Sequence, residues 1–243
     1  MSQRTLLLTG ASRGIGHATA RLFHDNGWRV ITVSRQAFSP RCPWGGKEDH
    51  VQLDLGDIPR LADGLAEIRD RLSGGPLHAL VNNAAISPKK PDGGRLGVLD
   101  TPYETWLAVL NVNLISTALL ARGLIEQLSA AQGAIVNVTS IAGSRVHPYA
   151  GVAYAASKAA LATLTREMAS EFAPLGVRTN AISPGEIDTA ILSPGTAAFA
   201  EREVPLRRLG KPSEVASTIF FLCSEAASYV NGAELHINGG QHV

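Results

Sequence analysis

Short apolar runs rich in β-branched residues recur along the chain at residues 5–9, 29–33, 51–53, 79–82, 134–139, 177–182 and 234–237. Between them lie longer stretches with helical spacing, such as 18–26 with Ala20, Leu22 and Phe23 on one side, and 152–172, which reads as helix throughout. Strands that are almost continuously hydrophobic suit a sheet buried on both faces, and intervening helices supply the right-handed crossovers that parallel neighbours need. The pattern predicts an α/β protein: one doubly wound sheet of seven mainly parallel strands with helices on both faces. Ligands of such sheets bind beyond the carboxyl ends of the strands.

Two segments break the rhythm, residues 40–49 (PRCPWGGKED) and 87–100 (SPKKPDGGRLGVLD), both dense in proline, glycine and charge. Regular elements resume on the same period after each, so both read as surface loops within a single domain spanning 1–243. A third segment, 189–205, follows the sixth strand, is punctuated by Pro194 and Gly195, and sits where a lid would close over a ligand.

At 243 residues and 45% hydrophobic composition the chain supports one sizeable core. Its 22 Lys plus Arg nearly cancel 21 Asp plus Glu, a balance that gives no field to gather nucleic acid or an anionic membrane and favours a small-molecule partner. The opening MSQRTLLLTG reads as neither signal peptide nor spanning segment, and the expectation is a soluble cytoplasmic protein. Cys42 and Cys223 lack metal-ligand spacing, and no metal site is expected; Cys223, after Phe220, Phe221 and Leu222, reads as a buried small hydrophobe.

The candidate chemistry sits at strand ends. After the first strand comes Thr9-Gly10-Ala11-Ser12-Arg13-Gly14-Ile15-Gly16 and then a helix. Glycines let backbone approach a pyrophosphate, and a helix N-terminus directs unpaired N–H groups toward it, although a tight strand-to-helix turn also uses glycine for steric reasons alone. Tyr154 and Lys158 stand four apart on the helical 152–172 stretch and so share a face. A neighbouring ammonium would lower the tyrosine pKa and equip it for proton exchange, whereas on an ordinary helix surface such a pair is merely solvated.

Taken with Asn82-Asn83-Ala84-Ala85, Asn113 in NVNL, Ser140 in IVNVTSIAG, Pro184-Gly185 in SPGEIDT, PLRRLGKPSEVA at 205–216 and the terminal NGAELHINGG, these motifs resemble the classical short-chain dehydrogenase/reductase family. The likeness covers essentially the whole chain, in order, and is closest to 3-oxoacyl-carrier-protein reductases and sugar or polyol dehydrogenases. It implies a Rossmann-type fold and hydride transfer between nicotinamide and a ketone or secondary alcohol. It further implies that Tyr154 is the acid/base, that Ser140 hydrogen-bonds the substrate carbonyl, and that Lys158 binds the nicotinamide ribose and depresses the tyrosine pKa. Asn113 would interrupt its helix and hold a water linking Lys158 to solvent. Gly10, Ser12, Arg13, Gly14, Ile15 and Gly16 would hold the pyrophosphate, Asp54 and Leu55 the adenine, and Asn82, Asn83 and Ala84 the adenosine side of the crevice. Pro184, Gly185, Ile187 and Thr189 complete the implied cofactor set. Asn-Asn-Ala-Ala stands where the family more often has Asn-Asn-Ala-Gly, and Ile237-Asn238-Gly239-Gly240 where it more often has Val-Asp-Gly-Gly.

Cofactor choice follows from the end of the second strand, Ser34-Arg35-Gln36. No carboxylate stands there to repel a 2'-phosphate, and Arg35 and Arg13 can converge on one, so NADP(H) is expected over NAD(H), which stays possible. His147 and Glu186 are the residues expected to face the substrate besides Ser140 and Tyr154, although a lone loop histidine is more often a solvated surface group. The 150–162 region is rich in small residues that permit close helix approach, and members of the family usually pair through this helix, so a homotetramer is expected. The competing functional class is a non-catalytic NADP(H)-binding regulator or scaffold; a nucleotide-fold methyltransferase would leave YAASK unexplained.

Overall fold

A computed structural model describes residues 3–39, 44–190, 192–193 and 195–243. Cys42 and Pro194 lie outside the described residues. Seven strands, β1 (Thr5–Thr9), β2 (Arg29–Ser34), β3 (His50–Gln52), β4 (Ala79–Asn82), β5 (Ala134–Val138), β6 (Arg178–Pro184) and β7 (Glu234–Ile237), form one sheet in the order β3-β2-β1-β4-β5-β6-β7. All six pairings are parallel, so the sheet is wholly rather than mainly parallel.

Alternation along the strands assigns side chains to the two faces, since successive Cβ atoms point opposite ways. Leu6 and Leu8 of β1 join Val30, Val81, Val136 and Ile182 on one face, closed by Phe23 of α1 (Gly14–Asp25) and by Val215, Ile219 and Leu222 of α8 (Pro212–Leu222). Leu7 joins Ile31, Leu80 and Ile135 on the other. That face is covered by Leu61, Leu65 and Ile68 of α2 (Leu61–Leu72), by Leu120 of α4 (Ser116–Gly123), and by Met168 and Phe172 of α6 (Val152–Phe172). Between α4 and α6 lies the short α5 (Ile125–Ala130).

The run Tyr103–Gly123 has the length and hydropathy of a membrane span, 21 residues at mean hydropathy 1.3. It is broken into α3 (Tyr103–Leu110) and α4 by a π-helical turn at Asn111–Ile115, and its inner side joins the core through Leu120 and Ala121.

Two loop expectations change. Of segment 40–49, the described residues 44–49 are more than surface: Trp44 is buried, with its indole edge-on to His17 of α1 at 4.5 Å. Segment 189–205 contains a helix, α7 (Thr196–Glu203), whose Ala, Glu and Arg content favours helix once Gly195, at φ +84°, has turned the chain. Cys223 is buried as expected, and burial pushes its thiol pKa up to about 12.

Candidate active site

The glycine turn is shaped by backbone demands. Gly14 opens α1 at φ +57°, and a Cβ on Gly16 would lie 2.2 Å from the Gly10 carbonyl oxygen, so neither position accepts a side chain. Arg13 precedes the helix in extended conformation without capping it, and the first turn holds no acid, so the orphan N–H groups stay open to an anion. Across from the turn, Thr9 Oγ1 accepts the amides of Asn83 and Ala84, each at 3.0 Å. Asn83 Nδ2 donates to the carbonyls of Thr9 (3.1 Å) and Gly10 (2.9 Å).

The turn opens into a cleft of about 500 Å³ at the carboxyl ends of the strands. Ser34, Arg35, Asp54 and Leu55 line it near Ser12 and Arg13; Ser140, Tyr154 and Lys158 line it farther along with Pro184, Gly185, Ile187 and Thr189. Gly10, Gly14, Ile15, Asn83 and Ala84 lie between. A cleft with the open amides of the α1 N-terminus on its wall and Arg13 and Arg35 in its lining matches the chemistry of a dinucleotide. Two expected cofactor residues are elsewhere. Asn82 is buried in the sheet, donating to Asn137 Oδ1 at 2.9 Å, while Asn137 donates on to Thr165 Oγ1 at 2.9 Å. Gly16 lies beneath the turn, where its role is close packing.

Ser140 follows β5 by two residues, and its Oγ accepts the Ala142 amide at 3.2 Å. Tyr154 and Lys158 share the cleft face of α6, with Lys158 Nζ 5.6 Å from the phenol ring centroid and donating to the Val138 carbonyl at 2.6 Å. Asn113 sits in the π-turn, as an interrupted helix requires, but its side chain is committed to protein. Oδ1 accepts from the Ile86 amide at 2.9 Å, and Nδ2 donates to the Ile86 carbonyl at 3.1 Å and to Ser157 Oγ at 3.0 Å. With both amide hydrogens used, Asn113 clamps the end of β4 to α6.

A smaller cavity of about 100 Å³ opens beside Ser140 and Tyr154 and is lined by His147 and Glu186, which meet at 2.5 Å through Nε2 and Oε1. Lys89, from the 87–100 loop, also lines it and donates to the Tyr149 carbonyl. Lys89 escaped the sequence reading because nothing periodic places that loop; its anchors, Arg95 Nε to the Ala150 carbonyl at 2.8 Å and Val152 N to the Leu96 carbonyl at 2.9 Å, are all long-range.

A sequence profile described as enoyl-(acyl carrier protein) reductase matches residues 10–242. The chain belongs to the short-chain dehydrogenase/reductase family. Membership carries a coarse activity, oxidoreduction at CH–OH and C=O groups with a pyridine nucleotide. Among its relatives, protein FixR of Bradyrhizobium diazoefficiens is 60% identical over 242 residues, covering 99% of this chain and 87% of that protein. A 3-oxoacyl-[acyl-carrier-protein] reductase of Aquifex aeolicus is 34% identical over 245 residues, 96% of this chain and 95% of that one. The crystal structure of a short chain dehydrogenase/reductase family oxidoreductase from Brucella ovis, in complex with a partially ordered NAD, has a TM-score of 0.86 at 57% identity and covers 98% of this chain and 100% of that one.

The electrostatics of this short-chain dehydrogenase/reductase cleft differ from the simple charge argument. Burial lowers the Lys158 pKa from 10.5 to about 7. The Tyr154 pKa is raised, chiefly by burial and further by the Glu186 carboxylate, with the Ser140 hydroxyl opposing. A lysine only partly charged at neutrality exerts a weak pull on the phenol, so desolvation wins. The stability consequence has a definite sign. Between pH 7 and 10.5 the unfolded chain holds a proton at Lys158 that the folded chain has released, so stability rises with pH across that window and this contribution is flat below it. At 1.36 kcal/mol per pKa unit the gain is at most about 5 kcal/mol. Denaturant unfolding of the cofactor-free protein at pH 7 and pH 10 should show a rise in the parent that exceeds the rise in Lys158→Met by several kcal/mol. Identical pH slopes in the two proteins would mean that the buried amine keeps its charge.

Proposed function

We propose that this chain, working as a single dinucleotide-binding and catalytic domain, is an NADP(H)-dependent oxidoreductase that interconverts a ketone and a secondary alcohol, with Tyr154 as the acid/base. The observation that carries this reading is the convergence of Ser140, Tyr154 and Lys158 on the same cleft as the open glycine turn. A bound nicotinamide supplies or accepts the hydride. In the reducing direction negative charge develops on the carbonyl oxygen, where the Tyr154 and Ser140 hydroxyls are the donors able to stabilise it. Tyr154 then gives up its proton, and a raised phenol pKa keeps that proton in place until it is needed. Lys158 has spare N–H groups beyond its bond to Val138 for the ribose hydroxyls. Asn113 acts here by fixing α6 against the end of β4.

Tyr154→Phe removes the transferable proton and keeps the ring. Steady-state turnover should fall at least a hundredfold while NADPH affinity, read by its fluorescence on binding, changes less than threefold. Turnover within tenfold of the parent would reject Tyr154 as the acid/base.

NADP(H) is our choice over NAD(H), because the end of β2 offers Ser34, Arg35 and Gln36 to the cleft and Arg13 joins them from the glycine turn. Neither guanidinium is ion-paired among the described residues. The Brucella ovis protein was crystallised with NAD, so the choice rests on these side chains of this chain. Loss of one charge-assisted phosphate contact costs about 1.5 to 3 kcal/mol, roughly tenfold to a hundredfold. The parent should therefore prefer NADPH over NADH in kcat/KM by at least tenfold, and Ser34→Asp with Arg35→Ile should abolish or invert that preference. Equal kcat/KM for the two cofactors in the parent would sink it.

We further read the protein as a homo-oligomer, a tetramer by family resemblance. Tyr103, Leu107 and Ile115 leave an apolar face uncovered along the α3–α4 run, and a second copy is the simplest cover for such a face. Light scattering at micromolar concentration should return a multiple of 25.6 kDa, and a monomer mass would overturn the reading.

A further inference from the structure

The cavity beside Ser140 and Tyr154 is small, with a few charged groups set in a largely apolar wall. At about 100 Å³ it has room for roughly three waters or a fragment of a few heavy atoms. Its walls carry two opposite charges, and their hydrogen bonds decide what can enter.

Glu186 comes from the turn after β6 and its side chain is only 5% exposed. Oε1 is occupied: His147 Nε2 meets it at 2.5 Å and Gln241 Nε2 lies at 3.5 Å. The histidine tautomer follows from its other nitrogen. His147 Nδ1 accepts the Tyr149 amide at 3.3 Å, so the ring proton is on Nε2 and is donated to the carboxylate. His147 is in turn held edge-on against Tyr149 (6.0 Å between ring centroids) and Phe199 of α7 (5.9 Å), so the carboxylate is fixed in place. Glu186 Oε2, by contrast, has no partner among the described residues. An acceptor oxygen that faces a cavity and has no protein donor is one that a ligand's donor can satisfy.

Lys89 stands in the same cavity and is half-buried. One of its three N–H groups goes to the Tyr149 carbonyl, leaving donors for an acceptor in the cavity. The two walls together discriminate among ligands. An ammonium would satisfy Glu186 but stand against Lys89; a carboxylate would satisfy Lys89 but stand against Glu186. A hydroxyl is donor and acceptor at once and satisfies both without net charge.

We propose that Glu186, oriented by His147, selects small uncharged substrates bearing a hydroxyl on the carbon next to the reacting carbonyl, accepting that hydroxyl's proton in a hydrogen bond while Lys89 donates to its oxygen. This rests on the reductase reading above. The reacting carbonyl oxygen then faces Ser140 and Tyr154, and the product is a vicinal diol: hydride from the nicotinamide goes to the carbonyl carbon and the Tyr154 proton to its oxygen.

The test compares hydroxyacetone with butanone, aminoacetone and pyruvate on the full-length protein. In NADPH oxidation hydroxyacetone should exceed butanone in kcat/KM by at least tenfold and should also exceed the cationic and anionic analogues. Glu186→Leu should bring the hydroxyacetone-to-butanone ratio to within threefold of one, whereas Glu186→Gln, which keeps an acceptor oxygen, should retain part of it. Saturation-transfer NMR on the NADP⁺-loaded protein reads the same preference without turnover: a hydroxyacetone signal in the parent, lost in Glu186→Leu. Preference for aminoacetone or pyruvate, or a ratio unmoved by Glu186→Leu, overturns the subsite and leaves the reductase standing. Selective hydroxyacetone binding with no turnover of any carbonyl supports the subsite and instead overturns the reductase.

Discussion

The site depends on how two neighbouring strands part company. β1 and β4 are hydrogen-bonded side by side at the centre of the sheet, yet the helix after β1 packs on one face and the helical run after β4 contributes its core residues to the other. The chain segments leaving their carboxyl ends must therefore diverge, and a crevice opens at that reversal of strand order. Divergence leaves backbone groups unpaired, and the chain re-pairs them with Thr9 and Asn83, whose side chains join the two ends across the gap. With the turn so fixed, Gly16 can pass 2.2 Å-close beneath Gly10, as measured from a Cβ it does not carry, and α1 can aim its open end into the crevice.

Within the crevice, burial and proximity compete for control of charge. Spacing on α6 brings an amine beside a phenol, which in water would favour ammonium and phenolate together. Removal from solvent penalises both ionised forms, and here that penalty is the larger, moving each group toward neutrality from opposite sides. Lys158 is supported by one carbonyl, that of Val138. Each further acceptor offered to its remaining N–H groups favours the ammonium and, through it, the phenolate. Ligation of the lysine and acidity of the tyrosine are thus coupled.

Elements governed by local periodicity were legible in the residues themselves. β4, β7 and α6 begin and end where short apolar runs and helical spacing put them, and β1 likewise. Failures come where distant residues decide. Asn82 and Asn83 are adjacent and chemically identical, yet pleating sends one into the sheet toward Asn137 and the next to the glycine turn, a distinction the motif as a string does not contain. Trp44 sits in a segment whose prolines and glycines read as solvent loop, and long-range packing, in the buried cluster with Val30 and Phe23 and edge-on to His17, makes it part of the interior. In α7 the flanking turn residues masked a short stretch of good helix formers. Cleft residues on strand ends were recoverable because strand ends are where such sheets place ligands; Lys89 was not, since its loop is ordered by bonds to α6 and the residues before it.

This difference explains why reaction class and substrate are unequally readable. Hydride chemistry needs a turn, a serine and a helical pair, all set by spacing along the chain. The smaller cavity is lined by Lys89, His147 and Glu186, drawn from three separate segments, with Phe199 against His147 and Gln241 against Glu186. Its recognition resides in which lone pairs and N–H groups remain after protein partners take their share. For Glu186 that share is one oxygen of two. Neutral apolar side chains of similar size could close the same cavity without placing a charge there, so under the subsite proposed above the half-paired carboxylate is where a ligand's donor would complete the hydrogen bonding.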